Sequence, residues 1–148
     1  MTESSTVHAL LAGGQERALD ISGLEISIVH DSPHRPLVTD VTVSVGDGEI
    51  VGLVGESGSG KSLTALACMG LLPDGVGVTH GEIELGGRSV VSATESDLRS
   101  MRGPRIGMIF QDPMTSLDPC FRIGRQMVEA ITEHESVSKE VARKRAVD

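Results

Sequence analysis

The sequence predicts an α/β fold with an antiparallel β subdomain and the start of a helical subdomain, and three observations predict it. Residues 49–54, EIVGLV, form a nearly continuous apolar run that suits a strand buried on both faces. A glycine-rich segment follows, and then apolar residues at helical spacing. Two shorter runs, Leu24–Ile28 and Val41–Val45, alternate apolar with polar residues as half-buried strands do. Past Ile123 the periodicity turns helical and stays so.

The elements follow in order. Residues 1–17, rich in Ser, Thr and Gly, show no sustained period and read as a mobile tail. The two alternating strands come next, parted by a loop holding His30, His34 and two prolines. Gly46-Asp47-Gly48 is a turn that delivers the chain into EIVGLV. Beyond the glycine cluster at 55–60, Leu63, Leu66, Ala67, Gly70 and Leu71 define one face of a helix from Lys61 to Leu72, with Pro73 as its stop. Glycines 75, 77 and 81 suggest a loop, and Gly86-Gly87 between Glu82–Leu85 and Arg88–Val91 is a two-residue hairpin signal. Thr94 and Asp97 have capping-box spacing for a short helix to about Met101. Arg105–Phe110, RIGMIF, is a second buried-strand run, and residues 113–119 are a loop. Ile123, Met127, Ala130 and Ile131 mark an amphipathic helix, and another opens near Ser138 and is expected to run on through Asp148. The domain boundaries read from this pass are 1–17, 18–110 and 111–148.

Composition limits the possible functions. The 148 residues are 39% hydrophobic and 23% charged, which suits one globular domain rather than low-complexity sequence. A chain this long can bury about 68–70% of its unfolded surface. With two phenylalanines and no tyrosine or tryptophan, the core must be aliphatic, and stacking on nucleic-acid bases has almost no residues to use. The net charge of −8 also disfavours a free polyanion, so no nucleic-acid partner is expected. A single phosphate held by backbone amides remains compatible, since such a site is local. Cys68 and Cys120 lie far apart with no CxxC pair, which argues against zinc or a disulfide framework and for a reducing compartment. No stretch reaches the roughly 18 apolar residues of a membrane span, and the N-terminus lacks the basic start of a secretory signal.

One segment carries chemistry. Gly55-Glu56-Ser57-Gly58-Ser59-Gly60-Lys61-Ser62 satisfies GxxxxGK[ST] between a strand and a helix. Gly55, Gly58 and Gly60 are expected to take positive φ and to let the backbone approach a ligand closely. N–H groups from about Ser57 to Leu63 would then converge on one anion. Lys61 can bridge β- and γ-phosphate oxygens, and the Ser62 hydroxyl is a hard oxygen ligand for Mg²⁺. The bland alternative is a glycine-rich turn with Lys61 solvated. A second part of such a site is sought at the end of RIGMIFQD. Either Asp112 supplies a metal-binding acid, or Gln111 is the working side chain; an acid should follow the apolar run directly, which favours Gln111.

At this point the residues resemble a family. GEIVGLVGESGSGKSLTALACMGLLP followed by GMIFQDPMTSLDP looks like the ATP-binding subunit of an ABC-type importer, in particular its dipeptide/oligopeptide and nickel branch, over about Leu19–Asp148. The resemblance implies a P-loop NTPase (ABC ATPase) core, incomplete here, that binds ATP and Mg²⁺. Gly55–Ser62 match the Walker A loop. Gln111 matches the Q-loop glutamine, which touches Mg²⁺ and the region of the attacking water. Loop 112–122 and the helices after 123 match the link to the helical subdomain that receives a coupling helix of the membrane subunit. The implied partners are a second ATP-binding subunit, integral membrane permease subunits and, indirectly, an extracellular solute-binding protein. The implied location is the cytoplasmic face of the membrane.

There are departures from the pattern. The family's adenine-stacking aromatic is matched here by Ile28, with His30 as a possible helper; the bland reading of His30 and His34 is loop histidines without function. Leu11–Arg17 imitates the signature LSGGQ but lies before the first strand, and reads as accidental. The signature, Walker B strand and switch histidine are expected after residue 148, so the chain resembles the N-terminal half of a subunit and is expected to hydrolyse little ATP alone. Two rival readings stand beside this one. In the first the chain is a small P-loop kinase or GTPase with Asp112 as its metal acid, for which Arg99, Arg102 and Arg105 are the only candidate lid cluster and no NKxD element exists. In the second it is a non-catalytic decayed fragment exposing an apolar sheet edge.

Overall fold

The computed structural model describes residues 17–30, 32–111 and 117–147, and the chain divides into two compact units, one up to Ser100 and one from Met101. Residues 1–16 of the proposed tail, with the LAGGQ segment, and Asp112 and Asp148 lie outside the described residues, whereas Arg17, expected to end the tail, already belongs to the first strand.

The first unit is built on a four-stranded antiparallel sheet. Its strands are β1 (Arg17–Ile28), β2 (Arg35–Gly46), β3 (Val76–Leu85) and β4 (Arg88–Ser89), in the order β2-β1-β3-β4. β1 is central, so its apolar residues meet partners on both sides: Ile26 pairs with Val38 and Val78, and Ile21 with Val43 and Ile83. Leu24, Ile26 and Ile83 are the largest fully buried side chains. The inward set is not strictly alternate. It jumps three residues from Ile21 to Leu24 and from Val38 to Val41, because each strand carries irregularities that reset the side-chain phase. Gly23 and Asp40 take positive φ at those jumps, and the Gly23 amide donates to Thr42 Oγ1 at 3.0 Å.

The glycines at 77 and 81 do not form a loop as their number suggested; both lie within β3. Gly81 has φ +82°, and a Cβ there would fall 2.3 Å from the carbonyl oxygen of Gly23. Close approach of two irregular strands, rather than a turn, demands this glycine. The Gly86-Gly87 hairpin forms as expected, with both residues at positive φ, as a type I′ turn requires.

The helix after the glycine cluster, α1 (Lys61–Cys68), stops before Pro73. Gly70 adopts φ +62°, its amide bonds Ala67 O at 3.0 Å and the Leu71 amide bonds Leu66 O at 2.9 Å. That pair of bonds is a Schellman cap, so glycine and not proline ends the helix. Ala67 and Cys68 bury against the sheet side of the unit, and burial pushes the Cys68 thiol up to about 11. The next helix, α2 (Glu95–Met101), opens with the expected capping box: Thr94 N–H donates to Asp97 Oδ2 at 3.0 Å and Asp97 N–H to Thr94 Oγ1 at 3.2 Å. The Thr94 hydroxyl and N–H hold the Asp97 carboxyl below its usual range.

Two expectations fail. Neither EIVGLV nor RIGMIF is in a strand among the described residues. Ile50 is 97% exposed, Val54 88% and Ile109 99%, and Ile106 makes only an isolated bridge to Arg102. An apolar run on both faces signals a central strand only where neighbours exist to take both of its hydrogen-bonding edges, and no described strand does so.

In the second unit, α3 (Ile123–His134) packs on α4 (Lys139–Arg145), whose Ala142 is fully buried. The Gln126 side chain, one turn into α3, accepts from Asp118 N–H at 2.9 Å and donates to the carbonyls of Asp118 and Phe121, fixing the loop before the helix. Ser138 caps α4 by accepting the Val141 amide at 3.3 Å. Contrary to expectation, α4 does not run on to the last residue: it ends at Arg145, with Ala146 as its cap.

Candidate functional site

The glycine cluster folds into a compact loop entering α1. Gly58 and Gly60 take φ +84° and +91°, conformations that side-chain-bearing residues rarely adopt. Gly55 does not need positive φ, contrary to expectation. Its constraint is space: a Cβ there would lie 2.8 Å from Ser59 Oγ and 3.9 Å from Lys61 Nζ. Gly60 is doubly constrained, since a Cβ would also fall 2.5 Å from Val38 Cγ2 of β2. Val38 thus leaves no room for a side chain at the residue where the loop ends and the helix begins. Sequence spacing could not reveal that contact, because it is made across the fold.

Within the loop, the Ser59 amide closes a turn on Glu56 O at 3.2 Å, and Thr64 N–H and Oγ1 both donate to Gly60 O. Lys61 Nζ folds back over the loop. It donates to Gly55 O at 2.8 Å, Glu56 O at 2.6 Å and Ser59 Oγ at 3.1 Å. The ammonium is therefore poised above the loop and half-buried, while Ser62 stands exposed at the first turn of α1.

Gly60 serves as the N-cap without a side-chain bond, and the first intrahelical bond uses Thr64 N–H. The amides of Gly60, Lys61, Ser62 and Leu63 find no acceptor among the described residues. Unused amides at a helix N-terminus, beside an ammonium and a hydroxyl, make a site for an anion with several oxygens. The residues fit a nucleotide phosphate chain, and Ser62 Oγ is free to serve a divalent cation.

The remaining candidates fall elsewhere. Gly55, Glu56, Ser57, Gly58, Ser59, Gly60, Lys61, Ser62 and Leu63 are assembled in the first unit, whereas Gln111 is an exposed residue of the second. Ile28 ends β1, paired with Arg35 and Val76. The His30 ring packs over Gly75, where a Cβ would lie 2.6 Å from its Cδ2, so this histidine has a packing role that loop position alone did not suggest. His34 is exposed.

The glycine loop and the Lys-Ser helix start keep the sequence pattern and the helix side of a P-loop, while the strand expected before it is not formed among the described residues. The chain belongs to the ABC transporter family, whose sequence model matches residues 38–147. It is 47% identical over 131 residues to the probable D,D-dipeptide transport ATP-binding protein DdpD of Escherichia coli, covering 88% of this chain and 40% of that protein. Over 133 residues it is 43% identical to the oligopeptide transport ATP-binding protein OppD of Bacillus subtilis, covering 89% of this chain and 37% of that one. The chain thus spans about 40% of the length of these curated relatives. In structure it resembles the ATP-binding cassette MJ0796, solved as a dimer in a post-hydrolysis state bound to ADP and Pi. The match has a TM-score of 0.69 and 20% identity, over 87% of this chain and 54% of that one. The fold is therefore that of an ABC ATPase, seen over part of its length. No described helix is long and apolar enough to cross a membrane.

Proposed function

We propose that this chain is the nucleotide-binding part of the ATP-binding subunit of an ABC importer for peptides or similar small solutes. The observation that carries the reading is the run of four acceptor-less amides, Gly60–Leu63, under the Lys61 ammonium. The names of the relatives, which transport dipeptides and oligopeptides, support the solute class.

In this reading the loop amides and Lys61 hold the β- and γ-phosphates of ATP, and Ser62 Oγ is a Mg²⁺ ligand. Gln111 completes the metal site and senses the attacking water. Its position just ahead of loop 112–122 would pass the state of the nucleotide to the helical subdomain and on to permease subunits at the cytoplasmic membrane face. A second ATP-binding subunit would face the loop, and a solute-binding protein would act upstream of the permease. The 148 residues contain the phosphate-cradling elements but no signature, Walker B or switch histidine motif in the family's order. They are expected to bind MgATP with little turnover.

Calorimetric titration of the chain with MgATP tests the proposal. Saturable binding, weakened at least about 100-fold in Lys61→Ala as the charge-assisted bonds are lost, is the expected result. No heat from folded chain, or equal affinity in the variant, would overturn it.

A further inference from the structure

The second unit holds a different cluster that the nucleotide reading does not use. A surface cavity of about 630 Å³, open to solvent between α3 and α4, is lined by the exposed Arg122, Arg125, Glu129, Lys139 and Arg143 and the half-buried Val128, with the Gly124 backbone at its edge. Its volume lies in the range of small-molecule sites. Four cations and one carboxylate give the lining a charge of +3 in a chain whose net charge is −8.

Helix electrostatics make this charge costly. Arg122 is the N-cap of α3 and Arg125 stands in its first turn. That turn has no acidic residue and no side-chain cap, so two cations sit at the positive end of a helix dipole. Lys139 and Arg143 are four apart on α4, a repelling i,i+4 pair. Among the described residues only Arg125 is compensated: its Nε bonds Glu129 Oε1 at 2.8 Å and its guanidinium stacks over Phe121, 4.5 Å from the ring centroid. The side chains of Arg122, Lys139 and Arg143 have no hydrogen bond or ion pair among the described residues. The Gly124 amide has no acceptor among the described residues, and a Cβ there would meet nothing within 4 Å, so the backbone is open to approach.

We propose that this cavity is a second anion site, binding a dissolved small molecule that carries a multiply charged phosphate group. Guanidinium forks match phosphate oxygens in pairs, and the Gly124 amide supplies a further donor. The site is separate from the loop at 55–63 and does not rest on the nucleotide reading.

The test is an amide and arginine-side-chain NMR titration of the whole chain with inorganic pyrophosphate, against sodium chloride at matched ionic strength. Saturable shifts at Gly124 and at the Arg122 and Arg143 guanidinium signals are expected. They should persist in Lys61→Ala, which separates them from the loop site, and weaken at least tenfold in the double variant Arg122→Gln/Arg143→Gln. Three outcomes would overturn the proposal: no shift at Gly124 in the folded chain, the same shifts from chloride alone, or unchanged affinity in the double variant. If the double variant loses helical circular dichroism, the shifts of the unsubstituted chain under pyrophosphate and chloride decide the matter.

Discussion

The loop at 55–63 and the apolar runs at 49–54 and 105–110 are both plain in the sequence, yet only the loop folds much as expected, with Gly58 and Gly60, but not Gly55, at positive φ. The loop is closed by bonds spanning two to six residues, from Ser59 to Glu56 and from Lys61 to Gly55. Its geometry is a local property, secured by glycines that tolerate φ near +90°. A strand buried on both faces is a property of its neighbours. Ile50, Val54 and Ile109 have the right side chains and stay exposed because no described strand pairs with them. Hydrophobic pattern states what a segment needs, and only topology states whether it is met.

The largest expected effect lies where the pattern was met. Leu24→Ala removes a fully buried side chain of the central strand and should cost about 2–5 kcal/mol, read as a lower urea midpoint. Gly60→Ala comes next. It places a Cβ against Val38 at φ +91°, and should lose about 1–2 kcal/mol from the backbone conformation alone. It should weaken MgATP binding as well, because the following amides are re-aimed. Ile50→Ser is the smallest: at 97% exposure it should change the unfolding free energy read from urea titration by no more than about 0.5 kcal/mol. A large loss from Ile50→Ser, with little from Leu24→Ala, would reverse the comparison.

Much of the fold was legible for the same reason. The Thr94–Asp97 box, the Gly86-Gly87 hairpin, the Ser138 start of α4 and the alternation in β1 and β2 all rest on neighbours in sequence. Gly77 and Gly81 misled because glycine marks both a turn and a close backbone approach, and only the contact with Gly23 tells them apart. In the candidate site the identity of each loop residue was readable. The role of Val38 was not, since it depends on where β2 lies, nor was the packing of His30 on Gly75. The cation cluster at α3 and α4 is not visible in the sequence, because Arg122, Arg125, Lys139 and Arg143 become one lining only when the helices pack.

In the proposed function, backbone amides with Lys61 above them hold the phosphates. The most direct measurement follows the amide resonances of Gly60, Lys61, Ser62 and Leu63 as MgADP is added to the ¹⁵N-labelled chain. Large downfield shifts at these four amides, saturating together and absent in Lys61→Ala, are the expected result. Unmoved signals there, with nucleotide-induced shifts confined to other residues, would contradict the account.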